Sequence, residues 1–208
     1  MKNNKMEMKE NVKEKLSEHL TLSSAATLSH SSELDGLRLT PHFTLAELTK
    51  TNTNLKNVPN EVQIKNLKRL CGWLEKLRSR YNERYEGPVD VFTPLAHRAT
   101  LALWRGAGGE AGVGGDDPIV INSGYRSEEV NKAVGGVATS NHLTGCAADI
   151  RVSGMEQALR YAVILLDISD ESREDFDELL IERNARGAIW LHFAVRESGN
   201  RRKLRFIS

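Results

Sequence analysis

One long segment of the chain, residues 60–82, carries apolar side chains at the 3.6-residue period of an α-helix. Lysine and arginine residues stand between the apolar positions. A stripe of this kind is normally buried against a second layer of structure, so we expect this helix to cover the core of a domain. The apolar residues of the stripe are Val62, Leu67, Leu70, Trp73, Leu74 and Leu77.

Short β-rich segments follow in the second half of the chain, with helical segments between them. The last two β-rich segments predict a hairpin around the turn at 184–187. Helices are predicted to begin at Ser127 and to cover 155–166. This mixed order favours an α+β fold, with a small antiparallel sheet and flanking helices. The predicted strands are 119–122, 146–152, 176–182 and 188–195.

The chain is expected to form one domain with an extension and an insertion. Its 208 residues, 39% of them hydrophobic, can bury one core and are few for two. Residues 1–38 predict an N-terminal extension, either loosely held chain or a docked amphipathic helix. Residues 39–208 then form the domain. A glycine-rich stretch within 88–116 predicts an inserted loop, which either covers a cleft or lies free on the surface.

Charge and composition argue against several classes of protein. A formal net charge of +1 gives no excess of positive charge of the kind that binds nucleic acid. Two cysteines, Cys71 and Cys146, are too few for a cysteine-rich zinc knuckle. The chain offers no run of about 18 apolar residues for a membrane span, and residues 1–20 lack the apolar run of a secretory signal. We therefore expect synthesis in the cytoplasm, no transmembrane segment, no nucleic-acid partner and, by default, a monomer.

The densest group of chemically useful residues is the run from Ser140 to Asp149. His142 and Asp149 stand on either side of a glycine turn, so a loop histidine and a strand carboxylate can meet at one ion. Zinc binds imidazole nitrogen and carboxylate oxygen at about 2.0–2.2 Å and keeps a fourth position for water in catalytic sites. His192, in the apolar segment 190–194, is the candidate third ligand. Taken singly, such residues are more often structural.

Four blocks of sequence occur in order between residues 123 and 192. They are Ser123-Gly124-Tyr125-Arg126-Ser127, then Val130-Asn131 with Val134-Gly135-Gly136, then Ser140-x-His142-x-x-Gly145-x-Ala147-x-Asp149-Ile150, and Trp190-x-His192. This succession resembles the zinc D-Ala-D-Ala carboxypeptidase family, peptidase family M15, and especially its subgroup from phage and prophage cell-wall enzymes. Phe43-Thr44-Leu45-x-Glu47-Leu48 and Pro59-Asn60-Glu61 also resemble that subgroup, so the resemblance covers about residues 40–196.

The resemblance implies the small α+β fold that Hedgehog shares with these peptidases. It implies one zinc ion, held by His142, Asp149 and His192. Arg126 is expected to face the oxyanion or carboxylate of the substrate, where its fork of donors suits either group. The other residues expected to bind substrate are Tyr125, Ser140 and Trp190.

The general base is expected at an acid shortly before the last histidine. The nearest such acid is Glu182, ten residues before His192. If Glu182 pairs near Trp190 or His192, the two side chains can share a face of the sheet. A tight turn at 184–187 is expected to leave Glu182 about four residues along the strand, which is too far at ~3.3 Å per residue. A catalytic Glu182 therefore requires a wide loop, and the fallback acids are Asp177 and Glu178.

These features predict a zinc metallopeptidase that hydrolyses peptide bonds of peptidoglycan stem peptides, as a D,D-carboxypeptidase or an endopeptidase. The expected cytoplasmic location favours a phage or prophage lysis enzyme that reaches the wall when the cell is breached, and a cytoplasmic dipeptidase is also open. Two other classes stay open. One is a non-catalytic zinc-containing module that binds the wall or a peptide. The other is a phage structural protein that carries this domain, with residues 1–38 as its docking arm.

Overall fold

The computed structural model describes residues 36–85 and 117–208. The predicted extension, apart from its last three residues, and the whole predicted insertion at 88–116 lie outside these ranges. The division into extension, domain and insertion therefore stays a prediction. Within the described ranges, no helix combines the length and the apolar content needed to cross a membrane.

Four α-helices and one short 3-10 helix occur in the described part of the chain. The second α-helix confirms the helix predicted from the apolar period, and the fourth begins where predicted but runs six residues further, to Ser172. The α-helices are α1 (Leu45–Thr49), α2 (Glu61–Tyr85), α3 (Glu128–Ala133) and α4 (Met155–Ser172), and the 3-10 helix is Asn141–Thr144.

A five-stranded sheet forms the other layer, in the order β1-β2-β4-β3-β5. Its strands are β1 (Ile121–Ser123), β2 (Ala147–Arg151), β3 (Glu178–Arg183), β4 (Ile189–Ala194) and β5 (Lys203–Ile207). Neighbouring strands are antiparallel except for β3 and β5, which are parallel. The predicted α+β class is confirmed. The fifth strand is not among the predicted strands. Its residues are basic or exposed and form no buried apolar run that the sequence pattern could indicate.

The core lies between the sheet and the helices α2 and α4. Trp73 of α2 packs against Phe193 of β4, with ring centroids 5.5 Å apart. Tyr81 of α2 meets Tyr161 of α4 edge-on at 4.8 Å. The apolar stripe of α2 is buried as predicted, except for Val62 in the first turn, which is 67% exposed.

The two faces of the sheet have different roles. Residues that pair directly across antiparallel strands share a face, and successive residues alternate between faces. Asp149 pairs with His192 and Leu180 pairs with His192, so these three positions point away from the helices. The apolar residues between them point into the core: Ala148, Ile150, Leu179, Ile181, Leu191 and Phe193.

The predicted hairpin is formed by β3 and β4, and its turn is tight. The Asn184 N–H donates to the Ala188 carbonyl oxygen at 3.0 Å, and Arg183 pairs with Ile189. Because Leu180 lies opposite His192, Glu182 is two residues from that position and pairs with Trp190. The expected offset of about four residues is therefore wrong: with a tight turn the offset is two residues, and Glu182 keeps the face of His192.

A buried carboxylate ties the start of β3 to the segments around it. Asp177 has no exposed surface. It accepts two hydrogen bonds from the Arg201 guanidinium, at 2.8 and 2.7 Å, one from the Arg201 backbone N–H at 3.3 Å and one from Asn141 at 2.8 Å, and Arg196 lies 3.1 Å away. Burial alone raises the pKa of Asp177, but the hydrogen bonds from Arg201 and Asn141 outweigh it and lower the pKa below its usual range.

Replacing Asp177 by Asn is expected to lower the free energy of unfolding at pH 7 by about 2–3 kcal/mol, because Arg201 and Arg196 lose their buried counter-charge. A carboxyl whose pKa is lowered on folding contributes stability above its ordinary pKa and loses it as the pH falls through the folded value. The difference between wild type and variant should therefore shrink in acid. Urea denaturation at several pH values measures it.

Replacing the exposed Glu197 by Gln is the matched control and should leave the urea midpoint unchanged. Equal stability of wild type and D177N at pH 7 is the result that contradicts this account of the buried network.

Candidate metal centre

His142, Asp149 and His192 meet on the face of the sheet that points away from the core. Asp149 lies in β2, and His192 is its direct partner in β4. His142 lies in the 3-10 helix that immediately precedes β2. One ligand atom from each residue lies within 4.8 Å of the others, and all three residues are buried. The structure thus brings together the three residues predicted to bind zinc.

Two ring nitrogens face the same carboxylate oxygen. His142 Nε2 lies 3.3 Å from Asp149 Oδ1, and His192 Nδ1 lies 2.9 Å from it. The ligand atoms of a tetrahedral ion with bonds of about 2.0–2.2 Å are roughly 3.3–3.6 Å apart. The observed separations are close to this range, and two imidazoles with one carboxylate are a donor set that zinc accepts. The group could hold a metal ion.

The contact made by the second ring nitrogen of His142 fixes the tautomer of the ring. His142 Nδ1 lies 2.5 Å from the carbonyl oxygen of Gly124. A carbonyl oxygen only accepts, so Nδ1 carries the hydrogen and Nε2 keeps its lone pair toward Asp149. Position 124 must be glycine, because a Cβ there would lie 2.3 Å from the Leu48 carbonyl oxygen. This close approach explains the glycine in the Ser123-Gly124-Tyr125-Arg126-Ser127 block.

The loop that carries His142 is held at both ends. Ser140 caps the 3-10 helix, and its side chain accepts from the His142 N–H at 3.3 Å. Gly145 ends that helix with φ +70°, a left-handed conformation that favours glycine. A Cβ at Gly145 would also lie 2.7 Å from the Gln63 carbonyl oxygen. Ser140 therefore has a structural role, while its contact with substrate stays a prediction.

The other oxygen of Asp149 is held by Arg126. Arg126 Nη2 donates to Asp149 Oδ2, and its Nε donates to Ser123 Oγ at 2.8 Å. Oδ1 is thereby left to face the two histidines. The alternative structural role of Arg126, an ion pair, is present, and its predicted contact with substrate stays a prediction.

The charges of the centre are strongly coupled. Burial raises the pKa of Asp149, but the nearby His142 and His192 outweigh it and hold the pKa far below its usual range. Burial lowers the pKa of His192, but the hydrogen bond with Asp149 and the interaction with Glu178 raise it to about 9. The buried Asp149 carboxylate therefore stabilises a positive charge beside it, as a cation site requires.

Glu182 and Glu178 flank the position of His192 on β3, one on each side of Leu180. Glu182 is half-buried, and this burial raises its pKa above that of an ordinary glutamate. Glu178 instead has its pKa lowered, first by the interaction with His192 and then by Lys203. A general base works best with a pKa near the operating pH. Asp177 is fully buried among arginines. Of the three acids Asp177, Glu178 and Glu182, Glu182 therefore has the environment that best suits a general base.

A cavity of about 770 Å³ opens over the centre. Trp190 lines it and pairs with Glu182 across β3 and β4. Tyr125 is 6% exposed and does not appear in the lining, so its predicted contact with substrate stays a prediction. Further lining residues are Arg126, Ser140, Glu178, Glu182, Arg196 and Lys203.

Part of this lining was not among the residues predicted from the sequence. Asn141 stands beside His142 in the chain and could have been examined as its neighbour. Arg201 and Lys203 gave no signal, because they reach the centre only through the unpredicted strand β5.

Replacing His192 by Ala removes one of the three ligands and should weaken zinc binding by at least about 100-fold, since even outer-shell changes cost 10–100-fold. Titration calorimetry with a competing chelator measures the dissociation constant. His42→Ala is the matched control, because His42 is exposed and pairs with Glu75 instead. Wild-type affinity in H192A is the outcome that rules out this ligand set.

Comparison with known protein families gives one match. The family described as Peptidase M15 matches residues 112–170 of the chain. The matched segment contains His142 and Asp149, whereas Glu182 and His192 follow its end. No curated protein matches the chain. Residues 112–170 of the chain are thus similar to the peptidase M15 family.

Proposed function

We propose that the protein is a zinc-dependent metallopeptidase that hydrolyses peptide bonds of peptidoglycan stem peptides. The observation that carries the proposal is the convergence of His142, Asp149 and His192 beside the half-buried Glu182 in one cavity. The family match supports the cleavage of a peptide bond. The choice of peptidoglycan rests on the resemblance of the sequence blocks to cell-wall enzymes.

The residues of the centre suit zinc. Two ring nitrogens, which would be neutral once the metal is bound, and one carboxylate oxygen would give three protein ligands and leave a position for water. Zinc held there would lower the pKa of water toward about 7 and would polarise the scissile carbonyl. Arg126 keeps Asp149 oriented through Oδ2, so that Oδ1 stays directed at the ion.

Glu182 is the general base of the proposed reaction. It takes the proton of the attacking water and passes it to the nitrogen of the leaving amine as the peptide bond breaks. Glu182 and His192 are diagonal neighbours across β3 and β4, and the Cα atoms of such a pair are typically about 7–8 Å apart, which leaves room for a water between the two side chains. Burial raises the pKa of Glu182, which suits a group that must first accept a proton and then release it.

Arg126 and Ser140 bind the substrate in this proposal. Arg126 uses Nη2 for Asp149 and Nε for Ser123, which leaves the hydrogens of Nη1 for an oxyanion or carboxylate. Ser140 lines the same cavity and is half-buried. Both residues therefore support a substrate that offers negative oxygen close to the scissile bond.

Replacing Glu182 by Gln should lower kcat/KM for a stem peptide by about 10²–10⁴-fold while zinc affinity stays unchanged, because the base is lost and the ligands remain. In the wild type, the acidic limb of kcat/KM should lie above the pKa of about 4.3 of an ordinary glutamate, since Glu182 must be ionised to act. Mass spectrometry of the products follows the rate and identifies the bond.

Replacing Glu197 by Gln on the surface is the matched control and should keep full activity. Undiminished hydrolysis by zinc-loaded E182Q excludes Glu182 as the base. If the zinc-loaded wild type cleaves no muropeptide at all, the peptidase proposal is wrong and a non-catalytic binding module takes its place.

A further inference from the structure

Glu178 lies on the opposite side of His192 from the proposed base. It pairs with Ala194 in the β3–β4 ladder and therefore shares the face of His192. Glu178 Oε2 lies 3.6 Å from His192 Nε2, and its side chain is only 14% exposed. The hydrolytic step described above does not use this carboxylate.

The two nitrogens of His192 have different surroundings. Nδ1 faces Asp149 Oδ1 at 2.9 Å and belongs to the group of ligand atoms. Nε2 must then carry the hydrogen, and in a residue that is 7% exposed this N–H needs an acceptor. Glu178 is the carboxylate that the described structure brings closest to Nε2. The separation of 3.6 Å is longer than a hydrogen bond, so the proposed contact requires a small approach of the two side chains.

Three donors hold Glu178 in this position. Lys203 Nζ lies 2.8 Å from Oε1, and Arg201 Nη2 lies 3.0 Å from the same oxygen. Asn141 Nδ2 donates to Oε2 at 3.0 Å. These donors hold the carboxylate in place beside His192, and two of them come from β5 and the residues before it.

We propose that Glu178 is a positioning residue of the metal centre. It accepts the Nε2 hydrogen of His192 and thereby fixes the orientation and tautomer of the ring, with Nδ1 toward the ion. This inference rests on the proposed zinc site but not on peptidase activity. In this proposal Glu182 transfers protons, while Glu178 orients His192 as a metal ligand.

Two variants test the role of Glu178 by zinc affinity. Glu178→Ala should raise the zinc dissociation constant about 10–100-fold, because the acceptor is lost. Glu178→Gln keeps the shape and a weaker acceptor, so its dissociation constant should lie between wild type and E178A. Thermal melting identifies any variant that fails to fold, and E197Q is the control for loss of one negative charge.

Long-range ¹H–¹⁵N spectra of the zinc-loaded proteins give a readout that a purely structural role would not move. The wild type should show a slowly exchanging Nε2 proton on His192, which shifts upfield in E178Q and is lost to exchange in E178A. Unchanged zinc affinity in both variants overturns the proposal. Weaker affinity with an unchanged Nε2 signal in E178Q also overturns it, since charge alone would then explain the effect.

The outcomes separate this proposal from the proposed function. If the wild type binds zinc and both variants behave as expected, the positioning role stands even where no peptide is cleaved. If the wild type binds no zinc, the metal centre and the role of Glu178 are both wrong.

Discussion

The direct pairing of Asp149 with His192 across β2 and β4 is the contact on which the centre depends. In an antiparallel pair the same register that buries Ile150 and Leu191 in the core turns Asp149 and His192 to the opposite face. A shift of one residue would exchange the two faces of a strand. The packing of the helices on the sheet therefore decides that both ligands point into the cavity.

The remaining parts of the centre are attached to this pair by backbone and charge. The Gly124 carbonyl oxygen sets the tautomer of His142. Gly124 and Gly145 have no side chain, which allows the backbone to lie close to α1 and α2. Beneath the centre, Asn141 and Arg201 each contact both Asp177 and Glu178. The 3-10 helix, β3 and β5 are thus joined by one polar network that also reaches His192.

The candidate ligand set could be predicted because the sequence blocks that carry the family resemblance are local. The spacing of His142 and Asp149 around a glycine turn, and the block Trp190-x-His192, survive without knowledge of the fold. The position of Glu182 was harder, since ten residues of sequence fold back through a hairpin and become a two-residue offset. The positioning role proposed for Glu178 could not be predicted, because Lys203, one of its donors, belongs to β5, a strand with little buried apolar surface.

Metal analysis joined to digestion of purified peptidoglycan tests the central claim most directly. The protein as purified, after removal of metal by a chelator, and after return of zinc would be compared by the peptides it releases. We expect one zinc ion per chain, no peptide release without metal, and release restored by zinc. Peptide release that persists in the metal-free protein, or a chain that binds no zinc, would contradict it.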